Sequence, residues 1–394
     1  MTAAHEETIM STRNERLGDT IERMPLVDHH AHGMLRDPLS EADLLDAMVQ
    51  ARHAAGPADV FDSQFGFALR RHCAPVLGLE PFADGVAYFA ARAALGFDEA
   101  TRRLLRASGI ATYLIDDGHA PERLLPDERM MQLADARSFP IVRLETLAER
   151  AMRDSTSGTD FLDRLDSALT DAARRAVGFK TIAAYRTGLA LEPAKPSWAD
   201  LARAADAWFA ACRRGGGSPR LDDATIIRHL MWWALEQGSV LQVHVGFGDG
   251  DLRVDRADPF LLQPFLAATA RTGGRIALLH CYPFVREAGM LAHLYPHVHL
   301  DAGLAIGQVG ANAEALLRET LDLAPFSRVL FSTDAWGAPE RALVGARIWR
   351  DAATRVLSTY VTRHGWPAEE AIRIAELMAW RNAESLYGRR FIER

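Results

Sequence analysis

The sequence predicts an α/β protein built as an eight-stranded (β/α)8 barrel, a TIM barrel, with a helical insertion after the first strand. Short β-branched or apolar runs alternate with longer amphipathic stretches, a pattern typical of βα units around a parallel sheet. Polar residues arrive mainly where these runs end, and barrel loops build active sites at the carboxyl ends of the strands. A length of 394 residues suits one barrel with insertions.

Eight runs are expected to form the strands, and amphipathic stretches between and after them are expected to form helices. The predicted strands are Leu26–Asp28, Thr112–Ile115, Ile141–Leu144, Val177–Ile182, Val240–Val245, Arg275–Leu279, Val298–Leu300 and Val329–Ser332. The predicted helices are Trp198–Arg213, Asp222–Gln237, Asp258–Thr272, Val285–Tyr295, Asn312–Leu323, Ala342–Thr362 and Pro367–Tyr387. Residues 33–110, dense in Ala, Leu and Arg, are expected to form the inserted helical subdomain of a single domain spanning 1–394.

Composition excludes several classes of partner. A formal charge of −7 gives no global positive field for a nucleic-acid backbone or an anionic membrane. No run of about 20 apolar residues predicts a membrane span. Only 3 cysteines, widely separated, argue against a disulfide framework. We therefore expect a cytoplasmic protein that acts on a small molecule, without nucleic-acid or membrane partners, and that can form a homo-oligomer.

The motif LVDHHAHG, residues 26–33, is the most specific indication of a functional site in the sequence. An apolar strand here ends in a cluster of histidines. Because residues i and i+2 share one face of a strand, His30 and His32 are expected to project together, whereas His29 points the other way. Imidazole nitrogens arranged in this way can bind one metal ion.

Four further candidates stand where later predicted strands end: Lys180, His244, His280 and Asp334. A βα unit of such a barrel takes roughly 31 residues, and the step from His244 to His280 is close to one unit. Each residue alone has a structural explanation, such as a core histidine or a helix cap. Together with the first histidine pair they predict nitrogen and oxygen ligands at one rim of one barrel.

This order of residues resembles the metal-dependent amidohydrolase superfamily. The segments Phe179–Leu189, His280–Pro296 and Leu330–Glu340 look like the branch whose barrel is also fused to glutamine-synthetase-like domains in nodulin-related proteins. The resemblance implies that His30, His32 and Asp334 bind a more buried metal ion. It also implies that Lys180 is a carboxylated bridging lysine and that His244 and His280 bind a second ion.

Some branches of the superfamily work with one metal ion, so one or two ions per chain both remain open. In the mononuclear case His244 completes the first site, and Lys180 or His280 contacts substrate. Zinc is the simplest expectation, and manganese or iron also suit these ligands. Metal ions of this kind activate water and polarise a carbonyl, and we expect Asp334 to act as the general base, with His280 also at the catalytic centre.

Four other residues are expected to contact substrate. Tyr185 and Arg186 follow the fourth strand, Arg286 follows the sixth, and Trp336 follows Asp334. Either arginine can bind a carboxylate with two hydrogen bonds, although both also have structural explanations. Further rim residues without an assigned role are Asp116, His119, Arg143 and Glu145.

The expected reaction is hydrolysis of an amide C–N bond in a small carboxylate-bearing substrate, with a γ-glutamyl amide as the natural example for this branch. The alternatives are a metal-dependent non-oxidative decarboxylase and a non-catalytic barrel that serves as a binding module. Decarboxylases of the superfamily lack the lysine of the fourth strand, so Lys180 favours hydrolysis. The presence of all six expected ligands argues against a barrel that has lost activity.

Overall fold

The computed structural model describes residues 16–37, 39–49 and 56–388 and confirms the predicted α/β barrel. Seven parallel strands form one sheet in chain order. Their bounds are β1 (Leu26–Ala31), β2 (Ile110–Asp116), β3 (Arg137–Arg143), β4 (Gly178–Thr181), β5 (Val240–Val245), β6 (Arg275–His280) and β7 (Val298–Leu300). Each pairs with the next in parallel register.

The eighth predicted strand, Val329–Ser332, closes the barrel without forming a regular ladder. The Leu330 amide donates to the Leu300 carbonyl at 2.9 Å on the β7 side. On the β1 side the His29 amide donates to the Phe331 carbonyl at 3.1 Å. Here the buried Asp28 carboxylate accepts from the Thr333 amide at 3.0 Å, so a side chain replaces part of the ladder.

Helices connect the strands and cover the barrel. They are α1 (16–23), α2 (Glu41–Met48), α3 (Pro57–Phe61), α4 (Gln64–Val76), α5 (Gly85–Leu95), α6 (Phe97–Ser108), α7 (Asp127–Ala134), α8 (Leu144–Arg153), α9 (Gly158–Arg175), α10 (Ala183–Arg186), α11 (Trp198–Gly215), α12 (Ala224–Glu236), α13 (Gln263–Thr269), α14 (Val285–Leu294), α15 (Gly303–Gln308), α16 (Ala313–Thr320), α17 (Pro339–His364), α18 (Ala368–Glu376) and α19 (Asn382–Tyr387). Within the described residues no helix is both long and apolar enough to cross a membrane.

Two helix predictions differ from the structure in detail. The predicted helix Asp222–Gln237 begins later, as α12, and its cap is Asp223, whose side chain accepts from the Thr225 and Ile226 amides. The predicted helix Asp258–Thr272 is divided into a 3-10 turn, Pro259–Leu262, and α13. Pro264 stands at the start of α13 and has no amide hydrogen with which to continue the preceding turn.

Helices α2–α6 lie between β1 and β2, in the stretch predicted to be an insertion. A buried ion pair joins this stretch to α17: Arg92 Nε lies 2.8 Å from Glu340 Oε1. The Tyr88 hydroxyl donates to the same carboxylate oxygen at 3.1 Å. These contacts fix the start of α17 beside the barrel rim, while the single-domain assignment stays a prediction.

The interior of the barrel is closed at its amino-terminal end by α19. Its residues Ala383 and Tyr387 pack into a buried cluster with one or two apolar side chains from most strands: Val27, Leu114, Phe139, Ile141, Val240, Ala277 and Leu330. The carboxyl ends of the strands are left open on the opposite side. The polar side chains that follow the strands therefore surround the open end.

Candidate metal centre

The strand ends bring the six predicted ligands together at the open end of the barrel. A cavity of about 550 Å³ lies there, within the range typical of small-molecule sites. Its lining includes His32, Lys180, His244, His280 and Asp334. His30 lies directly beneath, completely buried.

His30, His32 and Asp334 form the tightest group. Each offers one ligand atom, and these atoms all lie within 4.8 Å of one another. Asp334 Oδ1 is 3.1 Å from His30 Nε2 and 3.3 Å from His32 Nε2. All three side chains are nearly or fully buried, in positions where an uncompensated polar group is costly.

Hydrogen bonds on the far side of each ring direct the Nε2 lone pairs toward Asp334. His32 Nδ1 lies 2.9 Å from the Asp116 carbonyl, which can only accept, so Nδ1 carries the hydrogen. His30 Nδ1 lies 2.9 Å from Oε1 of Gln242, which likewise accepts. Two Nε2 lone pairs and one carboxylate oxygen therefore face each other, an arrangement of acceptors that fits a divalent cation.

A second group of predicted ligands, Lys180, His244 and His280, adjoins the first. Lys180 Nζ is 2.8 Å from His30 Nε2, and the rings of His244 and His280 are 4.6 Å apart. His280 Nε2 is 3.9 Å from Asp334 Oδ2. Neither nitrogen of His280 nor Nε2 of His244 has a hydrogen-bond partner among the described residues. These buried, unpartnered nitrogens suit a second metal ion or a bound substrate.

Burial favours the neutral form of His30, His244 and His280, the form in which histidines bind metals. Burial, together with the neighbouring Lys180, lowers the pKa of His30 to about 3. Burial also lowers the pKa of His280 to about 4 and the pKa of His244 well below its ordinary value. Burial likewise lowers the pKa of the Lys180 amine, which raises the fraction of the neutral, nucleophilic form.

The backbone is strained where two ligands emerge. His280 has φ of 71° and Asp334 has φ of 49°, both in the left-handed region that non-glycine residues seldom adopt. The His280 amide is held by Asp301 Oδ1 at 2.8 Å. The Asp334 amide donates to the His30 carbonyl at 3.1 Å. These bonds hold both side chains over the barrel opening.

Three of the four predicted substrate residues line the cavity, and one does not. Tyr185, Arg186 and Trp336 belong to the lining. Arg186 is already paired there with Glu149, with an Nη1–Oε1 distance of 2.9 Å. Arg286 lies instead on the exposed side of α14 and faces Asp322, so the structure does not bring it to the cavity, and its contact with substrate stays a prediction. Among the described residues, none between His280 and Leu304 belongs to the cavity lining.

Other residues at the site received no role from the sequence. Asp116 accepts two hydrogen bonds from Arg143, at 2.6 and 3.0 Å. Although burial favours the neutral acid, Arg143 and Lys180 hold the pKa of Asp116 well below its ordinary value. Gln242 on β5 and Arg341 on α17 were missed entirely. Gln242 stands two residues before His244 and so on the same face of its strand, a signal that strand periodicity could have supplied.

Replacing Gly248 by Ala is expected to impair the site. A Cβ atom there would lie 2.1 Å from the Tyr185 hydroxyl and 2.8 Å from His244 Nε2, so both side chains must move. Misplacement by about 1 Å can cost about 100-fold in rate, and we expect kcat to fall at least tenfold. The control is Gly217→Ala, where a Cβ atom meets nothing within 4 Å. Equal kcat values for the two variants would contradict the assigned position of His244.

Comparison with known proteins agrees with the barrel fold. No family model matches the chain. Protein fluG of Emericella nidulans is 30% identical over 304 residues, which are 73% of this chain and 32% of that protein. The chain thus spans about a third of the length of this curated relative. A fused glutamine-synthetase-like domain is not shown by this match, and the narrower branch stays a prediction.

Two solved structures share the fold. One, a proposed metal-dependent hydrolase from Lactobacillus casei, is 27% identical with a TM-score of 0.83, covering 96% of this chain and 99% of that chain. The other, a glucuronate isomerase from Caulobacter crescentus, is 16% identical with a TM-score of 0.62, covering 98% and 95%. The structural neighbours of this chain thus have amidohydrolase-like TIM barrels, and they include a proposed metal-dependent hydrolase and a sugar-acid isomerase.

Proposed function

We propose that this protein is a metal-dependent hydrolase that cleaves an amide C–N bond of a small carboxylate-bearing substrate. The observation that carries the proposal is the convergence of His30 Nε2, His32 Nε2 and Asp334 Oδ1 within 4.8 Å, with both Nδ1 atoms occupied elsewhere. A divalent ion bound there, zinc first and manganese or iron next, would lower the pKa of water and polarise a carbonyl. The similarity to a proposed metal-dependent hydrolase supports this assignment.

The two oxygens of Asp334 have different surroundings and different proposed roles. Oδ1 faces the two histidines, whereas Oδ2 lies toward His280 at 3.9 Å and Arg341 at 4.0 Å. Oδ2 takes a proton from the attacking water as the water oxygen bonds to the amide carbon. The same proton then passes to the leaving nitrogen as the C–N bond breaks, giving an acid and an amine.

Lys180 is proposed as the third member of a second metal group with His244 and His280. Its amine is buried, and its lowered pKa favours the neutral form that reacts with carbon dioxide to give a carbamate. A carboxylated Lys180 would add two oxygen ligands beside His30. One ion and an unmodified lysine are the alternative.

The first experiment is metal analysis of protein purified without chelator, combined with native mass spectrometry of the intact chain and a panel of γ-glutamyl and other amides. One or two ions per chain together with amide hydrolysis support the proposal. An added mass of one carboxyl group on Lys180 assigns the binuclear form. Metal without amide hydrolysis, but with release of carbon dioxide from small carboxylic acids, would replace the hydrolase with a decarboxylase. Protein without bound metal contradicts both.

Arg341 is proposed to bind the substrate carboxylate. Its guanidinium is buried in the cavity lining, close to the proposed reacting centre. A charge-assisted hydrogen bond contributes about 1.5–3 kcal/mol. Arg341→Gln is therefore expected to raise KM by roughly 10- to 100-fold for a carboxylate substrate and much less for the corresponding neutral amide. Arg286→Gln, at an exposed site outside the cavity, is the matched control, and an equal rise in KM there would refute this role.

A further inference from the structure

A continuous chain of side-chain hydrogen bonds runs through the barrel interior from α19 to His30. Asp301 Oδ2 lies 2.7 Å from His29 Nε2, and His29 Nδ1 lies 3.0 Å from the Tyr387 hydroxyl. Gln242 Nε2 donates to that hydroxyl at 2.9 Å, and Gln242 Oε1 lies 2.9 Å from His30 Nδ1. His29, His30, Gln242 and Asp301 are fully buried, and Tyr387 is nearly so.

One fixed acceptor determines the orientation of the Gln242 side-chain amide. Gln242 Nε2 is also 2.7 Å from the His29 carbonyl, which can only accept. The amide NH2 group must therefore face His29 and Tyr387, and Oε1 must face His30. It follows that His30 carries its hydrogen on Nδ1 and keeps its lone pair on Nε2, where Lys180 Nζ lies 2.8 Å away.

The hydrogen bonds of His29 are likewise fixed by an acceptor, the Asp301 carboxylate. The Asp301 carboxylate can only accept, so His29 carries a hydrogen on Nε2, and the Nδ1 of a neutral His29 ring then accepts from the Tyr387 hydroxyl. The hydrogen on Nε2 is donated to Asp301 Oδ2. The other oxygen of Asp301 accepts from the amides of His280 and Gly303, at 2.8 and 2.7 Å, so this carboxylate is held as an acceptor.

A competing arrangement of His30 exists and would block metal binding. Asp334 Oδ1 is 3.1 Å from His30 Nε2, close enough to accept a hydrogen from it. Without a partner for Nδ1, a hydrogen on Nε2 would give the ring a bond to Asp334 in place of the bond that its lone pair accepts from Lys180 Nζ at 2.8 Å. The lone pair needed by a metal ion would then point away from the site. The Gln242 carbonyl opposes this tautomer by satisfying the hydrogen on Nδ1.

We propose that Gln242 and Tyr387 are positioning residues that hold His30 in its metal-binding tautomer, so that α19 helps to set the affinity of the metal centre. Neither residue touches the proposed substrate cavity. Their effect reaches the centre through His30 alone. The proposal rests on the proposed function, in that His30 is taken to be a metal ligand.

The test combines two readouts on Gln242→Leu and Tyr387→Phe. The first is the ¹⁵N chemical shift of the His30 ring nitrogens in metal-free protein, which reports the tautomer. The second is zinc affinity measured by competition with a chelator. Loss of a hydrogen-bond partner of a ligand typically costs about 10- to 100-fold in metal affinity. We expect this loss, with a shift of the hydrogen toward Nε2, for Gln242→Leu.

Tyr387→Phe is expected to have a smaller effect in the same direction, because Gln242 keeps its bond to the His29 carbonyl. Tyr113→Phe is the matched control: Tyr113 is also fully buried, on β2, and lies outside the chain of hydrogen bonds. An unchanged tautomer and zinc affinity in Gln242→Leu would overturn the proposal, as would an equal loss of affinity in Tyr113→Phe. If the wild type binds no zinc, the proposed function fails, while the tautomer measurement still decides this inference.

Discussion

Asp334→Asn is expected to lower kcat by about 1,000-fold for any amide that the wild type hydrolyses. Proton transfer by a positioned side chain contributes roughly 100- to 10,000-fold to a rate, and an amide in place of the carboxylate cannot take a proton at Oδ2. Although burial acts in the opposite direction, His280 beside Oδ2 holds the pKa of Asp334 well below the ordinary value, so the wild-type side chain is ionised and able to accept. The measurement is steady-state kinetics at saturating substrate and excess zinc.

Excess zinc matters because Asn is also a weaker ligand, and metal loss must be separated from loss of the base. Metal content is therefore measured on the same samples. Asp322→Asn, on the exposed side of the protein, provides the matched control for the substitution itself. If metal-loaded Asp334→Asn retains more than about a tenth of wild-type kcat, Asp334 is not the general base, and His280 becomes the next candidate.

Strand periodicity was sufficient to predict the barrel and the approximate position of its ligands. Two-residue spacing predicts that His30 and His32 project together, and their Nε2 atoms both lie within 3.3 Å of Asp334 Oδ1. The conclusion depends only on alternation along a strand and on parallel strands sharing one carboxyl edge. These are local properties of each strand, so they can be predicted from a single sequence.

The contacts that decide the chemistry of the ligands depend on residues far apart in the chain. The bond between His30 and Gln242 joins β1 to β5, and the bond between Gln242 and Tyr387 joins β5 to the last helix. No periodicity within a segment predicts which distant side chains will meet across the barrel. The same holds for Arg341, which follows a strand end by several residues and reaches the cavity only because the start of α17 is fixed by Glu340 and Arg92.

Arg286 is a predicted site residue that the structure places outside the cavity. Its position shortly after His280 suggested that it lies at the rim, but side-chain direction after a strand is set by the connecting turn. The left-handed conformations of His280 and Cys281, with φ of 71° and 54°, redirect the chain before α14 begins. The sequence contains no glycine there to announce such a turn. A residue six positions beyond a strand end therefore cannot be assigned to the site from spacing alone.

His32→Ala is expected to weaken zinc binding by roughly 100-fold while leaving the fold intact. Zinc bound by four protein ligands contributes about 10–16 kcal/mol, or about 3 kcal/mol for each ligand, which corresponds to about two orders of magnitude in affinity. His32 stands just after β1, and the hydrogen bonds between the strands of the barrel do not depend on its side chain. Competition with a chelator measures the change, and the exposed His293→Ala serves as the matched control.

The kinetic behaviour of His32→Ala separates ligand loss from loss of the base. A variant that lacks only one ligand should recover much of its activity when zinc is raised above its weakened dissociation constant, because Asp334 Oδ2 still takes the proton. Asp334→Asn should not recover at any zinc concentration. His244→Ala extends the argument to the number of ions: in a binuclear centre it should lower the zinc content from two ions to one and leave the remaining ion tightly bound by His30, His32 and Asp334. Unchanged zinc affinity in His32→Ala would mean that the ion, if present, binds elsewhere in the cavity.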